Sequence, residues 1–255
     1  MNKLGDFHIH SRWSGGELTL TEIVDCYGDA GFDVIAITDR TQSKEKNQRT
    51  IPGISASQFD LYRLQVEKEA KRAWKQYRMR VISGIEIEKN SINPYRSAHL
   101  VILNPQTWFS GDGKLLETLE KVQHPEHLVI AAHPVSTRRF QKQTFALWTQ
   151  KEKFKNYIDA WEIASGSHLF SEVLHSGLPM IASSDFKRRE DLTSWKTTLS
   201  DHSSMESIFY QIRSQKIGFT YFDELEQKTD THFTLNPFPK LLGTLPQKLR
   251  SSSES

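Results

Sequence analysis

Residues 5–16 read GDFHIHSRWSGG, a short apolar run that finishes in two histidines one residue apart. Side chains of an extended chain alternate between faces with a period of two, so His8 and His10 leave the same face of a strand, one above the other. Two neutral imidazoles aimed at one point suit a metal ion, although an HxH alone is a common coincidence. The remainder of the chain has to decide.

Working outward, apolar runs alternate with amphipathic stretches along 255 residues. Strands are expected at 4–9, 33–38, 80–87, 99–103, 128–132, 159–163 and 179–183, with a weaker eighth at 217–222. The first helix is expected at TLTE, where Thr19 and Glu22 have capping-box spacing. The longest, about 57–77, places Phe59, Tyr62, Val66, Ala70, Ala73, Trp74 and Tyr77 on one stripe. Others are expected near 112–123, 140–155, 167–176 and 203–215. Strands separated by helices imply parallel pairing, and so many of them suggest a closed or nearly closed α/β barrel of TIM-like kind; an open doubly wound sheet is the alternative. The barrel domain is expected to occupy 1–222. From 223 to 255 periodicity fades and prolines enter, which suggests an extension that docks through Phe233, Phe238 and Leu241 and ends in a disordered SSSES.

Composition excludes several classes. The net charge of +2 argues against a protein whose task is to coat nucleic acid. No run approaches the roughly 18 apolar residues of a membrane span, and MNKLGDFHIH lacks the apolar core of a signal peptide. A single cysteine, Cys26, rules out an intramolecular disulfide and reads as a small core residue, so a cytoplasmic setting is expected. There is no P-loop, GxGxxG or GxSxG, which leaves nucleotide triphosphate hydrolysis, Rossmann chemistry and serine hydrolysis without support.

Barrel enzymes gather their chemistry at the carboxyl ends of the strands. Here the ends of successive apolar runs read His8 and His10, Asp39, Glu86, His133, Glu162 and Asp185. Surface polarity alone would scatter such residues without respect to strand ends. His99 is awkward, because it precedes its run, HLVIL, and so could sit at the opposite end. Imidazole and carboxylate without sulfur suit zinc, manganese or iron and do not choose among them. Two such ions bridged by a carboxylate suit in-line attack on phosphorus and supply hydroxide near neutral pH. Phosphoester hydrolysis is the chemistry these residues favour.

The stretches DFHIHSRWSGG, AITDR, GIEI, AHLVIL, VIAAHP and IASSDFK, in that order, make the chain resemble the polymerase and histidinol phosphatase (PHP) family, closest to its stand-alone phosphoesterases. The resemblance implies a distorted seven-stranded (β/α)7 barrel that holds up to three divalent ions and hydrolyses phosphoesters. It implies one ion on His8, His10, Glu86 and Asp185, and a second that shares Glu86 and takes His99 and His133. Asp6 and Asp39 match carboxylates that orient ligands, a role with its own physical weight. Three positions depart from the family pattern: Gly15 stands for an aspartate, and Arg40 and Lys187 for histidines. In the resemblance all three serve the third ion, which leaves two.

One reading is that two monovalent cations replace that ion, Arg40 gripping phosphate oxygens and Lys187 acting as a point charge or donating a proton to the leaving oxygen. The other is that Arg40 and Lys187 pair with Glu86 and Asp185, displace the metals and leave a module that only binds a phosphorylated ligand or a partner protein. The first is favoured, since decay would spread over all three sites. A nuclease using the same centre is a third option. FKRRE (186–190), with Arg188, and Arg138–Arg139 follow proposed ligands and could steer a small phosphorylated substrate, a nucleotide or a short oligonucleotide. Trp13 could stack a base but reads better as packing over the barrel mouth. Glu162 reads as a hydrogen-bonding support rather than a general base. His124, His127, His168, His175, His202 and His232 carry no motif and read as surface or structural. No stable protein partner is inferred.

Overall fold

The computed structural model describes residues 2–43, 53–135, 143–223 and 234–235. The elements in chain order are β1 (Lys3–Ile9), α1 (Leu20–Asp29), β2 (Val34–Ile37), α2 (Phe59–Tyr77), β3 (Arg80–Lys89), β4 (Ala98–Leu103), α3 (Leu115–Lys121), β5 (Leu128–Ala131), α4 (Ala146–Thr149), α5 (Lys151–Phe154), β6 (Ala160–Ser165), β7 (His168–Leu169), α6 (Ser171–Leu174), β8 (Met180–Ser183), β9 (Ser194–Leu199), α7 (Met205–Arg213), β10 (Gly218–Phe222) and β11 (Thr234–Leu235). All eight expected strands form. The capping box forms too, with Thr19 accepting from the Glu22 amide at 3.2 Å and Glu22 accepting from the Thr19 amide at 2.8 Å.

One curled sheet runs β11–β10–β9–β1–β2–β3–β4–β5–β6–β7, with β8 also on β6. The pairs β1–β2, β2–β3, β5–β6 and β6–β8 are parallel. β4 runs antiparallel to both β3 and β5, and β9 runs antiparallel to β1. The sheet is therefore mixed α/β, but its strands are not a uniform run of β/α repeats. Past the end of β8 the chain bridges to β1: His10 N donates to Phe186 O at 2.8 Å and Phe186 N to His8 O at 3.0 Å.

Buried apolar residues fill the sheet from both sides, as expected of strands covered on both faces. α2 departs from its expected stripe. Trp74 is 41% exposed and lies under Arg78 and Arg80, whereas Glu69 is buried, held by Arg72 and Thr21. The stretch expected as one helix over 140–155 is broken at Gln150 into α4 and α5, and 167–176 divides into β7 and α6. β9 has no counterpart among the expected elements. The expected docking residues Phe233, Phe238 and Leu241 and the SSSES end lie outside the described residues.

Candidate metal centre

His8 and His10 emerge from one face of β1, as the period of two requires, and both are fully buried. The chain then folds back at once. Gly16 N donates to Ser11 O at 2.8 Å, and a Cβ on Gly16 would lie 2.2 Å from His10 O, so this return admits only glycine. Glu86 comes from β3, Asp185 from just past β8 and His133 from just past β5. His99 stands at the start of β4. Because β4 is antiparallel to β3, with Glu88 paired to His99, the beginning of one strand meets the end of the other. That reversal brings His99 to the same end as the other ligand candidates.

The donor atoms converge. His8 Nε2 lies 3.2 Å from His10 Nε2, 3.5 Å from Glu86 Oε1 and 3.6 Å from Asp185 Oδ1. His10 Nε2 lies 3.4 Å from Glu86 Oε2 and 3.3 Å from Asp185 Oδ1. Ligands about 2.1 Å from a tetrahedral ion stand about 3.4 Å from one another, which is the spacing found. On the other side of the glutamate, Glu86 Oε1 is 3.1 Å from His99 Nδ1 and 3.7 Å from His133 Nε2. Two groups able to hold a metal ion result, His8–His10–Glu86 and Glu86–His99–His133, with Glu86 common to both.

The outer hydrogen bonds fix which nitrogen of each ring faces inward. His8 Nδ1 donates to Glu162 Oε1 at 2.9 Å. Ser14 spends its proton on Asp39 at 2.6 Å, so it can only accept from His10 Nδ1 at 3.1 Å. Asn90 donates its amide to Glu88 at 2.7 Å, which turns Oδ1 toward His99 Nε2 at 3.1 Å. Thr144 donates to His133 O at 3.0 Å and accepts from His133 Nδ1 at 3.3 Å. Each ring is thus left with one nitrogen pointing at Glu86 or its neighbours, the arrangement that outer partners give metal-bound histidines. Two such nitrogens at 3.2 Å need a cation between them. Without metal, a proton serves: burial pulls His8 down, but Glu162 and Glu86 hold it well above its ordinary pKa, while burial and Arg40 push His10 down to about 3. A divalent ion would displace that proton. Among the described residues, none donates an aligned hydrogen bond to the fully buried Glu86 Oε2. The donor set fits divalent metal.

The remaining expected residues gather around this core. Burial raises Glu86 and Asp185, but His99, Arg40 and His8 hold Glu86, and Lys187 and His10 hold Asp185, well below the usual carboxylate range. Glu162 also accepts the His133 amide at 2.6 Å. Asp39 accepts from Ser11 N at 2.8 Å and Ser11 Oγ at 2.6 Å. Asp6 accepts from Ser184 N at 3.0 Å and Tyr27 at 2.8 Å and pairs with the buried Lys196 at 3.1 Å. Arg40 donates to Ser14 O at 2.7 Å, pairs with Glu88 and stands 3.1 Å from Glu86 Oε2. Lys187 Nζ lies 2.6 Å from both Asp185 oxygens. Arg188 is exposed beside Asp191 on the rim of a cleft of about 600 Å³ that reaches Asp185 and Lys187. Arg138 lies outside the described residues. Sequence reasoning missed Ser14, Glu88, Asn90, Thr144 and Lys196. Only Glu88, two residues beyond Glu86 on one strand face, carried a readable signal.

Fold and site together describe a mixed α/β sheet, barrel-like in its curl, around a histidine–carboxylate cluster. No family model and no curated protein matches the sequence. Among solved structures, the chain resembles a two-domain protein from Bacteroides vulgatus described as containing a predicted PHP-like metal-dependent phosphoesterase, with a TM-score of 0.63 and 18% identity over 87% of this chain. The chain spans 65% of that protein's length. It also resembles a protein from Bifidobacterium adolescentis provisionally described as a metal-dependent phosphoesterase, with a TM-score of 0.50 and 12% identity, covering 73% of this chain and 88% of that one. At these identities the likeness is one of fold, and the fold is PHP-like. Among the described residues, no helix is long and apolar enough to cross a membrane.

Proposed function

We propose that the chain is a metal-dependent phosphoesterase with two divalent ions, of zinc, manganese or iron, acting on a small phosphorylated compound, a nucleotide or a short oligonucleotide in the cytoplasm. The observation that carries the reading is the orientation of four imidazoles, each tied outward so that its other nitrogen meets the cluster around Glu86. His8, His10 and Asp185 would hold one ion, His99 and His133 the other, with Glu86 between them. When bound, such ions activate water and offset phosphoryl charge. We read the sheet as a distorted seven-stranded barrel of β1–β6 and β8, and the backbone bonds between His8, His10 and Phe186 support its closure.

Asp6, Asp39 and Glu162 orient the ligands. Arg40 offers its guanidinium fork to the phosphoryl oxygens, and Lys187 stabilises or protonates the leaving oxygen. Each exchanges its present carboxylate partner, Glu88 or Asp185, for the arriving phosphate. Arg188, at the cleft rim, steers the anion. A second reading draws on those same ion pairs: Arg40 and Lys187 stay on the carboxylates and the chain binds without turnover.

Metal analysis of the purified chain, joined to assays on a phosphomonoester, a phosphodiester and oligonucleotides, separates the two. Two ions per chain, with turnover that Lys187→Ala abolishes, supports the first. No metal and no turnover supports the second.

A further inference from the structure

Asp185 reaches the cluster from a left-handed backbone, φ +52°. A non-glycine residue persists in that region only where its surroundings over-determine it. On one side the restraint is the pair of backbone bonds between Phe186 and His8 and His10. On the other it is Asp6, whose Oδ1 accepts the Ser184 amide at 3.0 Å.

Asp6 is completely buried, and so is Lys196, whose ammonium lies 3.1 Å from Asp6 Oδ2 and also donates to Ser194. Tyr27 donates to the same Asp6 oxygen at 2.8 Å. The ammonium and the phenol both hold Oδ2, which leaves Oδ1 aimed at the Ser184 amide, and bonds to an ion-paired carboxylate are shorter and stronger than those between neutral groups. Thr197, the next residue on β9, bonds both the amide (3.1 Å) and the carbonyl (2.8 Å) of Ala182 on β8. Consecutive residues of β9 therefore hold the exit of β8, one directly and one through Asp6.

We propose that Lys196 is a positioning residue for Asp185: by holding the Asp6 carboxylate in place it pins the Ser184 peptide and fixes the turn from which the Asp185 carboxylate is presented. The inference rests on the metal-centre reading for its consequence, but not for its test.

In metal-free protein, Lys196→Met is expected to speed exchange of the Ser184 amide about tenfold more than it speeds exchange of the β4 amides, which report general loss of stability. In zinc or manganese titrations the same variant should lose roughly 10–100-fold in affinity for one ion and keep the other. Exchange at Ser184 that rises only in step with β4 overturns the proposal. If Lys196→Met does not fold, Asp6→Asn with Lys196→Met leaves no buried charge and an acceptor for Ser184. It should show the same selective release in smaller degree, and native-like protection there overturns the proposal equally. A native chain that binds no ion defeats the metal reading, and the exchange comparison still judges Lys196.

Discussion

A histidine is made ready for a metal by what its other nitrogen does, and here a different acceptor holds that nitrogen in each of the four. Asn90 has the most exacting part, since one amide group must give its hydrogens to Glu88 and its oxygen to His99. Asn90→Leu removes both contacts and frees the His99 ring to turn. The affinity for one of two ions should fall roughly 10–100-fold while the other holds, as read by calorimetric titration with zinc or manganese; two unchanged affinities would show that the ring needs no such support. Introducing the residues of the PHP pattern that the sequence resembles, at the three positions where it departs, requires Gly15→Asp together with Arg40→His and Lys187→His. Gly15 has φ +99°, and its nearest atom beyond the adjoining residues is Arg40 Nη1, 3.8 Å from where a Cβ would stand. Space is therefore available and the backbone is the obstacle. Gly15→Asp alone should cost about 1 kcal/mol in a urea melt, so a third ion is sought with the Arg40→His, Lys187→His pair first.

Among the elements, the strands that sequence periodicity marks are those whose apolar residues sit together, and β9 is the instructive failure. Its SWKTTL is wholly buried although only Trp195 and Leu199 are apolar, because Lys196 is neutralised by Asp6 and Thr197 is satisfied by Ala182. A partner distant in sequence makes such a strand possible, and no local pattern reveals it. Strand direction is equally hidden, which is why His99 looked misplaced until β4 proved antiparallel. The proposed ligands other than His99 were legible, being chemically distinctive at run ends; Ser14, Asn90 and Thr144 were not, being ordinary residues that matter only through contact. α7 supplies a test at this scale. Asp201 accepts from Ser203 Oγ at 2.7 Å, Ser207 Oγ at 2.6 Å and Ser203 N at 3.0 Å, bonds that lower its pKa from 3.8 to about 2. A depressed carboxylate pKa contributes stability in full above its unfolded value, and that contribution disappears as pH falls through the folded one. The stability gap between the native chain and Asp201→Asn should therefore be constant from neutral pH to about 4 and close as pH approaches 2. Urea melts across that range measure it, and a gap independent of pH would remove Asp201 from the account.

For the whole molecule, the cluster ties together segments that the chain keeps far apart: β1, β3, β4, the exits of β5 and β8, and β6 through Glu162. An ion bound there joins them at once, and it can bind only when all are in place. Ligands that recognise the folded chain alone stabilise it by an amount set by concentration over dissociation constant, about 2.7 kcal/mol at a hundredfold excess. For a chain of this size each kcal/mol moves the melting midpoint by about 2–4 °C. Stripping the protein with a chelator should accordingly lower the midpoint by about 5–10 °C per tightly held ion, and returning zinc or manganese should restore it in a concentration-dependent way. Calcium or magnesium, which prefer oxygen-rich sites, should restore much less at the same concentration. Arg40→Ala sharpens the comparison, because Arg40 stands 3.1 Å from Glu86 and beside Glu88. If Arg40 takes the place of a third ion, its removal leaves the two-ion shift intact or adds a weaker third step. If its guanidinium has instead displaced the metals, the native chain shows no shift with any ion and Arg40→Ala acquires one. The two thermal series therefore separate an operating centre from an abandoned one.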